Sequence, residues 1–281
     1  MWVHRRIFGR QYKMAAVPGI LRQWNPGIVP NLQLWIDGSD KSTFTFTNES
    51  NINIIRDKSG NGVILTQGTQ LNQPIMASNI NGRQSVSFPP NAYMSTITSN
   101  FVSKLNSINS SEHSQFSLFK LFDLESSHIV TYMGDTPANS FQQIEFDTTP
   151  SRIGIRVRSS GGDSTFPDIE GVSCNILLTQ NYYYGITPQF NIRVNIDNED
   201  TTTSIFGYNI VNYDNFYIGK SFFGDTNGES FNGDVGEIVM FTSNYLSHYQ
   251  YKSQMEGYLA WKWGVQSLLL NEHPYKNRSP T

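Results

Sequence analysis

Cysteine is almost absent from this chain. Cys174 is the single one in 281 residues, so no intrachain disulfide can brace the fold. It sits in a β-like run at 172–178, where a thiol reads as a small, inert core residue, and nothing in this usage points to an oxidising compartment. Charge is also sparse: 15% of residues are charged against 38% hydrophobic, while Asn alone occurs 27 times. Neutral amides and hydroxyls compete with helix backbones and favour turns, so the composition leans towards many short strands and loops. Long apolar runs are missing. None reaches 18 residues, so no segment is expected to span a membrane. The stretch Met14-Ala-Ala-Val-Pro-Gly-Ile-Leu21 is broken by Pro18-Gly19 and lacks an apolar h-region, so no secretory signal is read there.

Acidic residues are missing from the first 36 positions, which carry Arg5, Arg6, Arg10, Lys13 and Arg22 before Asp37 appears. A basic arm therefore precedes an acidic body. With a net charge of −3 the chain lacks the basic footprint of a nucleic-acid-binding domain, and nucleic acid is not an expected partner. Metal and catalytic spacings are absent as well. There is no H-x-x-x-H and no cysteine pair to hold a transition metal. His4, His113, His128, His248 and His273 lie scattered without partner motifs for a Ser/His/Asp arrangement. The glycine-bearing loops Ser159-Ser-Gly-Gly-Asp163 and Gly224-Asp-Thr-Asn-Gly228 lack a following helix and lysine, so no phosphate cradle and no cofactor is expected. No fixed-period repeat marks a solenoid or propeller.

What is present is period-two alternation bounded by turn residues. Strands are predicted at 32–36, 43–47, 85–88, 116–122, 128–133, 143–147, 152–158, 182–186, 190–196, 216–219 and 231–241. The 152–158 segment puts Ile153, Ile155 and Val157 on one face and three arginines on the other. Eleven short strands with close turns predict an all-β fold, two antiparallel sheets stacked as a sandwich. The length suits one such domain with its own core. Residues 247–264 read as a C-terminal α-helix: Ser247 and Gln250 form a capping box, Tyr251, Met255, Tyr258, Leu259 and Lys262 make a docking stripe, and Gly264 stands at the C-cap. Trp261 and Trp263, two apart, cannot share one helix face. The expected organisation is an extended basic arm at 1–30, a domain at 31–275 and a tail at 276–281, with Pro18, Pro26, Gly27 and Pro30 preventing regular structure near the end of the arm.

Two stretches carry a resemblance. Asn31-Leu-Gln-Leu-Trp-Ile-Asp-Gly-Ser-Asp40 followed by Asp57-Lys-Ser-Gly-Asn-Gly62 resembles the start of laminin-G-like, concanavalin A-like lectin/glucanase domains. Phe231-Asn-Gly-Asp-Val-Gly-Glu-Ile238 resembles their late-strand signature, and Glu256-Gly-Tyr-Leu-Ala-Trp-Lys-Trp-Gly264 with His273-Pro-Tyr275 looks like the closing helix and tail of copies carried by large DNA viruses and phages. The two ends bracket 31–275. The resemblance implies a concanavalin A-like jelly-roll sandwich. From the residues themselves, Asp57 is expected to accept backbone N–H bonds in an Asx-type turn, with Gly60 and Gly62 at positive φ. Gly233 and Gly236 around Asp234 are expected to mark a bulge or close backbone approach.

Glycosidases of this fold share an E-x-D-x-x-E strand, since retaining chemistry needs an acid and a nucleophile close together. Here Glu145-Phe-Asp147 supplies two carboxylates and Pro150 occupies the third position, so no enzyme and no catalytic residues are expected. Structural calcium is weighed at Asp37, Asp40 and Asp234 by resemblance, and at Asp197-Asn-Glu-Asp200 and Asp225-Thr-Asn227 by composition, against solvated acidic turns; it is not predicted. The leading expectation is a non-enzymatic virion structural protein, a minor capsid, cement or surface protein made in the host cytoplasm. Its arm residues Arg5, Arg6, Arg10, Lys13 and Arg22 would contact other capsid or virion proteins. The alternative is a glycan-binding host-attachment module with surface glycans as partners; a homo-oligomer is compatible with either.

Overall fold

The computed structural model describes residues 24–96, 112–123, 128–134, 141–148, 151–159, 162–170, 176–184, 189–194, 201–204, 215–220, 230–242 and 249–281. The five arm cations, Cys174, Ser247 and the loops 197–200 and 225–227 lie outside them. The strands are β1 (Leu32–Asp37), β2 (Phe44–Phe46), β3 (Ile52–Arg56), β4 (Ile64–Thr66), β5 (Ile75–Ile80) and β6 (Arg83–Phe88). They continue with β7 (Met94–Thr96), β8 (Glu112–Leu121), β9 (His128–Gly134), β10 (Phe141–Thr148), β11 (Ser151–Ser159) and β12 (Gly162–Glu170). The last are β13 (Ile176–Tyr184), β14 (Gln189–Val194), β15 (Thr201–Ser204), β16 (Asn215–Ile218) and β17 (Gly233–Phe241), followed by the helix α1 (Tyr249–Trp263).

Two antiparallel sheets form the sandwich. The first runs β15-β14-β13-β8-β17-β6-β5, with β1 also paired to β17; the second runs β12-β11-β10-β9-β16-β7-β4-β3-β2. Their facing sides share one apolar core, in which Leu34, Ile36, Phe88, Phe119, Ile238 and Met240 meet Ile55, Leu65, Met94, Val130, Ile144 and Phe216. Alternation along each strand buries these residues and turns their neighbours outward. The sequence missed β3, β4, β5, β7, β12 and β15. β12 was hidden by Pro167, which is tolerated because the strand lies at the sheet edge and is bulged there: Gly154 pairs with Asp168 while Ile155 pairs with Phe166.

The bulge expected from Gly233 and Gly236 is present and decides where functional side chains point. The register of β17 against β8 shifts between Val235 and Glu237. Val235, Ile238 and Met240 therefore face the sandwich core, whereas Val239 and Phe241 face outward. Strict alternation from Val235 would have driven Glu237 into the apolar core; the extra residue puts it on the outer face instead.

That outer face carries a second apolar cluster under α1, where Trp35, Phe116, Leu118, Val239 and Phe241 meet Met255, Leu259 and Trp263. The expected stripe is there, and more of the helix is buried than a stripe implies. Lys252, Ser253, Gln254 and Glu256 are buried too. Residues 265–281 fold back over the helix. The ring of Tyr275 fills the space beside Gly257, where a Cβ would come within 2.5 Å of the Tyr275 Cβ. The Trp261 indole N–H donates to the Tyr275 carbonyl at 2.7 Å, and His273 pairs with the buried Glu256 at 3.0 Å. Gly264 adopts φ 68°, the left-handed conformation expected at the C-cap, and the Asn81 side-chain amide donates to the carbonyls of Trp263 and Gly264.

The other end of the expected arm also packs. Trp24 and Val29 are buried in the outer cluster, and Pro26–Ile28 forms a 3-10 turn in which the Asn25 side chain accepts from the Gly27 N–H at 2.9 Å. The prolines thus fix a turn here where the sequence implied irregular chain, because Pro at the first helical position loses no needed donor. Pro280 is buried as well, so part of the expected tail contributes to the packed body.

Candidate functional site

The Asp57-Lys-Ser-Gly-Asn-Gly62 turn is built as the sequence implied, with Gly60 and Gly62 at φ 87° and 74°. Asp57 Oδ1 accepts from the Ser59 N–H at 2.8 Å and from the Trp35 N–H at 2.7 Å, while the Lys58 N–H donates to the Trp35 carbonyl at 2.9 Å. The Asn61 amide donates to the carbonyls of Leu32 and Gln33. The turn therefore satisfies the backbone edge of β1 and places the Lys58 ammonium over the Trp35 ring, 4.5 Å from its centroid.

Four separated motifs meet on the outer face of the first sheet. Glu237, fully buried, accepts from Trp35 Nε1 at 2.6 Å, Lys262 Nζ at 2.7 Å, Tyr258 Oη at 2.9 Å and Trp263 Nε1 at 2.9 Å. Lys262 also pairs with Asp37 at 2.7 Å, and Lys58 bridges Asp37 and Asp40, each at 2.8 Å. Opening strand, turn, late strand and closing helix are thus held by one ionic network. Nothing local in the sequence announces it. The usable signal is Glu237 within an apolar strand, since a carboxylate so placed must find donors.

Burial opposes ionisation of Asp37, but the Lys262 charge and hydrogen bond, with bonds from Lys58 and Ser39, outweigh it and bring its pKa to about 2. Bonds from Lys58 and Ser42 also lower Asp40, and the two carboxylates raise Lys58 despite its burial. Tyr258 is pushed up, first by burial and then by the charges of Glu237 and Asp37, so it stays protonated and donates. Because the folded Asp37 pKa lies below the unfolded 3.8, its contribution of about 2 kcal/mol is complete above roughly pH 5 and disappears as pH falls towards 2. Chemical denaturation between pH 6 and 2 should show this loss, and Asp37→Asn should flatten it; an unchanged acid profile in the variant would assign the loss elsewhere.

Beside this network lies a cleft of about 670 Å³ lined by Trp24, Asn25, Trp35, Asp37, Lys58, Arg83, Tyr258, Trp261, Lys262 and Ser279. Trp24 and Tyr258 pack with ring centroids 5.6 Å apart. The two helix tryptophans divide as their spacing required: Trp263 is 1% exposed in the outer cluster, and Trp261, 36% exposed, stands in the cleft wall. Of the residues singled out from sequence, Asp37 and Asp40 take lysines as partners. Asp234 is fully buried, accepts from the Asn79 amide at 3.1 Å, and is pushed up by burial, which disfavours the charged form a cation would need. Among the described residues, no group of three or more His, Cys, Asp or Glu side chains converges to hold a metal. Ile144 and Phe146 point into the sandwich core, which leaves Glu145 on the opposite face of β10, away from the cleft. His128 is buried, with its Nδ1 accepting from the Asn232 N–H at 3.2 Å and its Nε2 3.4 Å from Asp123 Oδ1. No described helix is long and apolar enough to cross a membrane, which says nothing of a β-barrel.

No protein-family model and no curated protein matches the chain. Among solved structures, a Ruminococcus gnavus IT-sialidase CBM40 aligns at 10% identity with TM-score 0.47, over 57% of this chain and 90% of that one. An arabinofuranosidase complexed with arabinofuranosyl-alpha-1,2-xylobiose aligns at 13% identity and TM-score 0.49, over 75% of this chain and 55% of that one. A leech intramolecular trans-sialidase aligns at 14% identity and TM-score 0.45, over 57% of this chain and 25% of that one. The chain's own sheets define it as an antiparallel β-sandwich with a C-terminal helix docked on its outer face.

Proposed function

We propose that this protein is a non-enzymatic carbohydrate-binding sandwich that holds a saccharide in the cleft beside α1. The observation that carries this reading is the cleft itself, in which the exposed Trp261 shares one concavity with the largely buried Trp24, Trp35 and Tyr258 and with Asn25, Asp37, Lys58 and Arg83. Aromatic faces take the apolar C–H faces of a sugar ring, and a few fixed polar groups orient its substituents. The carboxylates in and beside the cleft are poorly suited to act as the general acid of hydrolysis. Asp37 is held ionised by two lysines and Glu237 is clamped by four donors, so neither is placed to deliver a proton to a leaving group. The virion-assembly reading draws on Arg5, Arg6, Arg10, Lys13 and Arg22, which lie outside the described residues, and no feature of the described residues favours it over ligand binding.

A glycan array followed by titration calorimetry tests the reading. Trp261→Ala should weaken the bound saccharide roughly tenfold or more at a temperature where the variant stays folded, its melting temperature falling only modestly with the lost bond to the Tyr275 carbonyl. Leu71, 91% exposed and not among the residues that line the cleft, is the control: Leu71→Ala should leave both affinity and melting temperature nearly as in wild type. Absence of any glycan binding, or full affinity in the Trp261 variant, would remove the cleft as a saccharide site.

A further inference from the structure

The polar groups of the cleft are unequally committed. Asp37 is taken by Lys58, Lys262 and Ser39. Lys58 is spent on Asp37 and Asp40, and Lys262 on Asp37, Glu237 and the Tyr258 hydroxyl. The indole N–H groups of Trp35 and Trp261 already donate within the protein, as does the Tyr258 hydroxyl. Arg83 stands apart. It is exposed, it lines the cleft, and it sits 5.9 Å from the Trp263 ring centroid; among the described residues no carboxylate pairs with it. Its backbone is rigidly held, because Arg83 pairs with Ile80 directly after the Asn81-Gly82 turn that caps α1. A second donor, Trp24 Nε1, is buried in the same wall, and no acceptor among the described residues reaches it.

A site whose charged acceptors are consumed internally and whose uncommitted charged group is a guanidinium favours a ligand that brings acceptors. The geometry points to an anionic saccharide as the ligand, its carboxylate or sulfate received by Arg83 while a sugar ring lies against the aromatic wall. A guanidinium presents paired N–H donors that match the planar oxygens of a carboxylate and those of a sulfate. Lysines locked into the floor cannot take this role without breaking the network that docks α1. This inference rests on the saccharide-binding reading and adds the class of saccharide.

The test uses the full chain on an array carrying neutral, uronate- or sialate-bearing, and sulfated glycans, followed by titration of the tightest binder and its neutral counterpart. Acidic glycans should dominate, and Arg83→Gln should weaken the acidic ligand about 10- to 100-fold, the loss of one charge-assisted contact, and the neutral counterpart severalfold less. Binding should also weaken with added salt. The carboxylate and sulfate arms identify which anion is read. Preference for neutral glycans, or Arg83→Gln with unchanged acidic affinity, would overturn the anionic assignment and leave saccharide binding standing. No binding to any glycan would overturn both.

Discussion

Glu237→Ala is expected to be the most damaging single substitution in the cleft region, lowering stability by roughly 3–5 kcal/mol and the melting temperature by about 10 °C. The carboxylate is fully buried and receives Trp35 Nε1, Tyr258 Oη, Lys262 Nζ and Trp263 Nε1. Removing it leaves these donors, one of them charged, without their shared acceptor at the buried junction of α1 and the sheet. Three of the four belong to α1, so the helix should loosen from the sheet before the sandwich core melts. Hydrogen exchange would show this as lost protection across Tyr249–Trp263 with β8 and β17 still protected. Glu237→Gln keeps the shape but presents one acceptor in place of two and loses the countercharge to Lys262, so an intermediate loss is expected. Equal stability of wild type and Glu237→Ala would show that the helix is held by apolar contacts alone.

The second large effect is expected at Gly38. Its N–H donates to the Gly236 carbonyl at 2.7 Å, and a Cβ built there would lie 2.6 Å from the Val235 oxygen and 2.7 Å from the Gly236 oxygen. Both obstacles are backbone in the middle of the first sheet, at the point where β1 ends and β6 takes over the same edge of β17. Neither can swing aside as a side-chain tip would. Gly38→Ala should therefore cost roughly 2–4 kcal/mol, from overpacking and from the displaced hydrogen bond. It should also reposition Asp37 and, with it, Lys58 and Lys262, so ligand affinity should fall together with stability. Gly68, which has open space around it, is the matched control, and Gly68→Ala should be close to neutral. Denaturant titration of the two variants separates the outcomes; equal midpoints would mean that the β1–β17–β6 junction adjusts freely.

These predictions concern residues whose local roles and collective role became visible at different stages. Alternation in 116–122, 128–133 and 152–158 announced strands because burial on one face of a sheet imposes a period of two on the chain itself. The Asp57 turn and the Gly236 bulge were legible because backbone geometry restricts which residues can occupy such positions. β4 and β7, three residues each, were not legible, since segments so short carry almost no period and pair only because neighbouring strands offer edges.

The sequence by itself determined an antiparallel sandwich, its principal strands, its turn chemistry and a docking helix with one buried and one outward tryptophan, because each of those rests on contacts within a few residues. The tertiary structure alone decided the site. Trp35 and Glu237 bond across 202 positions, Lys262 reaches back to Asp37, and Arg83 arrives on a separate hairpin to face the same cleft. Charge pairing and cleft shape depend on which surfaces the sheets bring together, and a linear pattern carries no record of that choice. The single bulge at Gly236 turned a carboxylate away from the core and made the network possible.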